Sequence, residues 1–149
     1  ANGGFLRGFD SEGPAGPLPA LTTRDAVLPI LVPLIAAKEG LAALVAAQPA
    51  RFTAANCLKE VSAEASQLLV AGFDQNPRKR AAFLAAFGGI EANLDRTDGV
   101  RMTLMDGRIV HLRPSGNAPE LRVYAEAESE VVAQQVLNTG LEILRAALM

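Results

Sequence analysis

From Gly89 onward the apolar positions fall into two regular rhythms. Val100, Met102 and Leu104 alternate with polar or flexible partners, the two-residue period of a strand with one buried face. Asp106-Gly107 follows, a strong signal for a two-residue hairpin loop. Closing that loop pairs Leu104 with Ile109, Met102 with His111 and Val100 with Arg113, so Arg113 arrives at a strand end. Leu121 to Glu126 read as the returning strand, with Arg122 near its start, and Ile90 to Leu94 as a further strand. Ser129 then caps a last helix, with Val132, Val136, Leu137, Leu141, Leu144 and Leu148 on one face. Upstream, Asn76 and Pro77 open a helix whose stripe is Phe83, Leu84 and Phe87, ended by Gly88-Gly89. Ser62 to Ala71 predict a short helix stopped by Gly72, and Phe52-Thr53 begin a strand of open length. These elements give an α+β fold, an antiparallel sheet with helices packed on one face.

The first third reads differently. Residues 1 to 20 are Gly- and Pro-rich with Phe5, Leu6 and Phe9 between, which predicts a loop, a short strand and another loop. Thr22, Thr23 and Asp25 suit the cap of a helix running to about residue 38, kinked or delayed by Pro29 and Pro33. Leu41 to Gln48 add a turn or two of helix before Pro49. The expected division is therefore 1–48 and 49–149. The apolar run Ala26 to Ala37 is shorter than the ~20 residues of a membrane span, and reads as a buried helix of a larger protein. No secretory signal is visible, and a start at Ala-Asn-Gly-Gly without methionine suggests a cut inside a longer chain.

Composition narrows the partners. The chain has 149 residues, half of them hydrophobic, and a net charge of −2. That acidity, with six phenylalanines, one tyrosine and no tryptophan, argues against a nucleic-acid surface. Cys57 is the one cysteine, which excludes an internal disulfide and a cysteine zinc cluster. It reads as a small buried hydrophobe in a cytoplasmic protein.

The chemistry concentrates in Arg113-Pro-Ser-Gly-Asn-Ala-Pro-Glu-Leu-Arg122. Arg113 and Arg122 offer paired N–H donors to phosphate oxygens. Ser115 adds a hydroxyl, and Gly116 lets an anion approach the backbone. Asn117 adds an amide and tolerates a left-handed turn, so that successive backbone N–H groups could form an anion nest. Pro114 and Pro119 reduce the entropy lost when the loop is fixed. By residue type alone, an ordinary polar connection between strands is as good a reading. Ser115 has no evident base beside it, which disfavours a nucleophile. Asp95, Asp98 and Asp106 read as turn residues, His111 as structural or as a ligand rim, and Arg78, Lys79 and Arg80 as a solvated basic face.

The loop resembles the phosphate-binding loop of the alpha-phosphohexomutases, the phosphomannomutase and phosphoglucomutase family, typically Arg-x-Ser-Gly-Thr-x-Pro-x-x-Arg. Arg113, Ser115, Gly116, Pro119 and Arg122 match, and Asn117 stands in place of threonine. Ala1-Asn2-Gly3-Gly4 resembles the family's sugar-specificity loop, Glu-Ala-Asn-Gly-Gly, without its glutamate. Thr23 to Pro29 resembles the segment opening the helix that closes the third domain. The resemblance implies residues 1–48 from a sugar-binding α/β third domain and 49–149 as a fourth domain related to the TATA-binding-protein fold, a likeness of fold alone. It further implies a mutase for hexose phosphates, with a phosphoserine, magnesium and a sugar bisphosphate activator. Arg113, Ser115, Gly116, Asn117 and Arg122 would hold the phosphate that is not transferred, and Asn2 and Gly3 would touch the sugar. The partners implied are a hexose phosphate and the family's N-terminal domains, with no nucleic acid and no membrane. The family's serine loop, Thr-Ala-Ser-His-Asn-Pro, and magnesium loop, Asp-Gly-Asp-Gly-Asp-Arg, have no match here, so the chain alone is expected to be inactive. A non-enzymatic module binding a phosphorylated ligand or a partner is the other reading. Mannose, glucose and glucosamine phosphates stay undistinguished.

Overall fold

A computed structural model describes residues 5–148. Asn2 and Gly3 therefore lie outside the described residues. The chain divides into two units, Ala1–Pro49 and Ala50–Met149.

In the first unit, β1 (Phe5–Arg7), β2 (Ser11–Gly13), β3 (Gly16–Leu18) and β4 (Leu21–Asp25) precede α1 (Leu28–Ala36) and α2 (Leu41–Ala46). β1 pairs antiparallel with β4, and β2 with β3. The helix expected from Thr22 thus begins later. Thr22 and Thr23 are β-branched and extend β4, whereas Asp25 Oδ1 accepts from the N–H groups of Val27 and Leu28 at 2.7 and 3.2 Å. Asp25 therefore satisfies donors at the start of α1, and Pro29 stands in its first turn.

The second unit contains β5 (Phe52–Lys59), α3 (Ala63–Gln75), α4 (Pro77–Ala85), β6 (Glu91–Asp95), β7 (Val100–Leu104), β8 (Ile109–Pro114), β9 (Glu120–Ala127) and α5 (Glu130–Leu148). Its five strands run β5-β9-β8-β7-β6 in one antiparallel sheet. Alternate residues of the inner strands point to the core. Val100, Met102, Leu104, Val110, Leu112, Leu121 and Val123 are buried against Leu69, Phe73 and Phe83 of α3 and α4 and Val136, Leu137, Leu141 and Leu144 of α5. The helices cover this face and leave the other open. Ser62 Oγ, Asn76 Oδ1 and Ser129 Oγ accept from the N–H groups of Ala65, Lys79 and Val132, which caps α3, α4 and α5.

Three expectations change. Gly72 does not end α3, which continues to Gln75; a Cβ at Gly72 would stand 2.8 Å from Lys79 Nζ, whose ammonium lies over the Phe73 ring. Arg80 is not solvated. It is 5% exposed, pairs with Glu91 and donates to the carbonyls of Phe73 and Asp74. The β7–β8 hairpin is shifted by one residue. Thr103 faces Ile109, Met102 faces Val110, Arg101 faces His111 and Val100 faces Leu112. The loop is three residues long, with Gly107 N–H bonded to Leu104 O and Gly107 at φ 85°, a turn closed by a left-handed glycine. The shift has a hydrophobic cause: the two-residue loop would have put His111 and Arg113 on the face of Met102 and Val100.

Described residues include no helix long and apolar enough to cross a membrane.

Candidate functional site

The one-residue shift places the arginines. On β8, Val110 and Leu112 are buried, which leaves His111 and Arg113 on the open face. On β9, Leu121, Val123, Ala125 and Ala127 are buried, which leaves Glu120, Arg122, Tyr124 and Glu126 there. Arg113 and Arg122 are direct cross-strand partners, and Cys57 of β5 continues the same rung. The loop 115–119 joins the two strands immediately beyond this rung.

The loop's own donors are partly engaged. Ser115 N–H bonds to Glu120 O at 3.1 Å, and Glu120 N–H to Ala118 O at 2.8 Å. Ser115 is 4% exposed, and its hydroxyl donates to Asn117 Oδ1 at 3.2 Å. Pro119 O accepts from Val61 N–H at 3.1 Å. Among the described residues no group accepts from the backbone N–H of Gly116, Asn117 or Ala118. A Cβ at Gly116 would meet nothing within 4 Å, so the space beside that residue is open. Neither Gly116 nor Asn117 has positive φ. The left-handed turn that Asn117 would tolerate is not used, and the loop is a run of bends rather than a nest.

Each arginine has its own carboxylate. Arg113 Nε lies 2.9 Å from Asp98 Oδ2. Asp98 is more than a turn residue, because its backbone carbonyl also accepts from His111 Nε2 at 2.6 Å. The contact depends on Gly99, at φ 90°, where a Cβ would sit 2.3 Å from Leu112 O and 3.1 Å from Arg113 Cα. Arg122 Nε and Nη2 both reach Glu120 Oε1 at 2.8 Å. Hydrogen bonding from Arg122, and then from the Cys57 thiol, holds the Glu120 carboxyl below its ordinary range. Cys57 is half-buried on the open face and not in the core. Partial desolvation, followed by the nearby Glu120 carboxylate, pushes its thiol pKa up.

Residues 73–139 match the family model of the phosphoglucomutase/phosphomannomutase C-terminal domain. A phosphomannomutase of Salmonella muenchen is 40% identical over 152 residues, which cover 99% of this chain and 31% of that protein. The chain belongs to the alpha-D-phosphohexomutase family. A phosphomannomutase of Sinorhizobium fredii (strain NBRC 101917 / NGR234) is 38% identical over 100% of this chain and 32% of its own length. A phosphoglucosamine mutase of Methanococcus aeolicus is 34% identical over 58 residues, 39% of this chain and 13% of that protein. The chain thus spans about a third of the two phosphomannomutases it matches along its length.

The α+β sheet with helices on one face is the fold of this phosphohexomutase domain. The magnesium that the family resemblance implies finds no fitting donors here: among the described residues no three His, Cys, Asp or Glu side chains could hold a metal ion together. Asp95 accepts from Thr97 N–H and Oγ1, Asp106 from Arg108, and Asp98 pairs with Arg113. The family motif named the two arginines, the serine and the glycine, and marked Asn117 by its place at the motif's threonine. It did not name Asp98, whose sequence signal is a turn, or Glu120 and Tyr124, whose signal is strand alternation beside Arg122.

Proposed function

We propose that this chain forms the phosphate-holding part of a phosphohexomutase that interconverts hexose 6-phosphate and hexose 1-phosphate, with mannose phosphate as a substrate. The observation that supports the reading best is the Arg113–Arg122 rung, in register at the mouth of a loop with three N–H groups that have no acceptor among the described residues. Two relatives named phosphomannomutase match along the chain's whole length. Arg113 and Arg122 neutralise the phosphate that stays on the sugar, while Asn117 and the backbone of 116–118 orient it. In phosphoryl transfer such work is positioning and charge neutralisation. The family's serine and magnesium loops have no match in these 149 residues, so this chain alone is expected to bind sugar phosphate without turning it over.

Calorimetric titration with inorganic phosphate and with mannose 6-phosphate tests the reading. Arg113→Ala removes one charge-assisted contact and weakens both by about 10- to 150-fold, the equivalent of ~1.5–3 kcal/mol. Unchanged affinities in Arg113→Ala and Arg122→Ala would remove the loop's role.

A further inference from the structure

The open face continues beyond the arginine rung. Two residues along each strand from Cys57, Arg122 and Arg113 stand Ala55, Tyr124 and His111, again in register. A two-residue step on one face is about 7 Å, the scale of a phosphate ester plus its sugar ring. The His111 and Tyr124 rings stack, with centroids 5.3 Å and planes 28° apart. His111 thereby covers one side of Tyr124. On Tyr124's other side the cross-strand neighbour is Ala55, whose single methyl group leaves a slot.

Two hollows meet at that slot. One, of about 220 Å³, is lined by Ala55, Cys57, Glu120, Arg122 and Tyr124, with Asn56 beside them. The other, of about 290 Å³, reaches from Ala55 and Tyr124 to Thr53, Ile109, His111 and Glu126. Tyr124 and Ala55 belong to both. Tyr124 follows Arg122 by two residues on the same face of β9, so the ring lies next to the charge that would hold the phosphate.

We propose that the slot over Ala55, walled by Tyr124, seats the sugar ring of the same ligand whose phosphate is held by Arg113 and Arg122. The inference rests on the phosphate reading above and adds a subsite to it. A hexose has C–H groups on one face that pack on an aromatic ring, and hydroxyls around its edge. At the far end Thr53 and Glu126, the latter already paired with Arg101 and Arg51, stand as partners for those hydroxyls, which a wholly apolar ligand would leave bare. Tyr124 is then a residue that distinguishes a sugar phosphate from phosphate itself.

Comparing mannose 6-phosphate with inorganic phosphate separates the two claims. Wild type binds the sugar phosphate about tenfold more tightly than phosphate, and Tyr124→Ala removes that margin while its phosphate affinity stays within about twofold. Tyr124→Phe keeps the ring and keeps the margin. Ala55→Leu, at an exposed position, fills the slot and abolishes the margin while keeping both aromatic rings, which covers the case of a poorly folded Tyr124→Ala. Tyr124 is the only tyrosine, so its ring protons report directly, shifting more with mannose 6-phosphate than with phosphate. An unchanged ratio of the two affinities in both Tyr124→Ala and Ala55→Leu overturns the subsite and leaves the phosphate seat standing. No binding of phosphate by wild type, or none lost in Arg113→Ala, overturns the seat and the subsite with it.

Discussion

Arg122 neighbours two side chains whose pKa values move in opposite directions, Glu120 downward and Cys57 upward. Glu120, two residues earlier on the same face, is held ionised by the guanidinium, and its carboxyl pKa is lowered. Cys57, across the strand boundary, meets that carboxylate and has its thiol pKa raised by partial desolvation and then by Glu120. Because the depressed carboxyl titrates below the usual glutamate range, Glu120 is charged at neutral and mildly alkaline pH. Any stability contributed by its pair with Arg122 is present above the unfolded glutamate pKa and is lost only as acid reaches the lower folded value. The thiolate is the nucleophile in alkylation, so Cys57 reacts with iodoacetamide more slowly at pH 8 than a free cysteine. Its pH–rate midpoint lies above the ordinary thiol value. Glu120→Gln removes the carboxylate's part and speeds alkylation at pH 8; an unchanged rate would mean that the carboxylate does not act on the thiol. None of this was legible in the sequence, where Cys57 and Arg122 are 65 positions apart. The motif named the donors of the loop, but which were already engaged, Ser115 Oγ and its N–H among them, depended on how the loop closed.

Elements were easier to read than the contacts between them. The alternation of β7 and β9, the stripe of α5 and the caps at Asn76 and Ser129 all follow from local pattern. The register of β7 on β8 did not, because Asp106-Gly107 fits both a two-residue loop and the three-residue loop seen. Burial of Val110 and Leu112 decides between them. Arg80 was misread for a related reason. It lies in a basic run at the start of α4 and looks solvated, but its position turns it inward. Its side chain joins three elements: the last carbonyls of α3, its own helix α4, and Glu91 of β6. Arg80→Ala leaves two carbonyls and a partly buried carboxylate without their donor. The expected loss of unfolding free energy is about 3 kcal/mol, measured by urea denaturation. Arg78→Ala, exposed on the same turn, should change stability by less than about 0.5 kcal/mol. Equal effects for the two would show that the three-way junction is not what holds α4 in place.

At the scale of the whole molecule, the first unit poses the question. In α1 and just before it, Val27, Ile30, Leu31, Val32, Leu34 and Ile35 are between 46% and 68% exposed, and the helix has no buried residue. Helices of soluble proteins hide their apolar side, and a helix apolar all round is a core helix. The relatives that match the full chain are about three times as long, and the proposed function predicts that residues corresponding to their other two thirds cover α1. A chimera joining that portion of the Salmonella muenchen protein to this chain tests cover and catalysis together. The chain alone is expected to release no mannose 1-phosphate from mannose 6-phosphate, whereas the chimera does. Within the chimera, Arg113→Ala raises KM by the same ~10- to 150-fold expected for binding, because the phosphate contact precedes chemistry. Ile35→Asp places a charge on the covered face and prevents assembly, read as loss of the folded chimera in gel filtration, while in the isolated chain it improves solubility. If Ile35→Asp left the chimera folded and active, α1 would be exposed in the complete enzyme as well, and its apolar surface would need another partner.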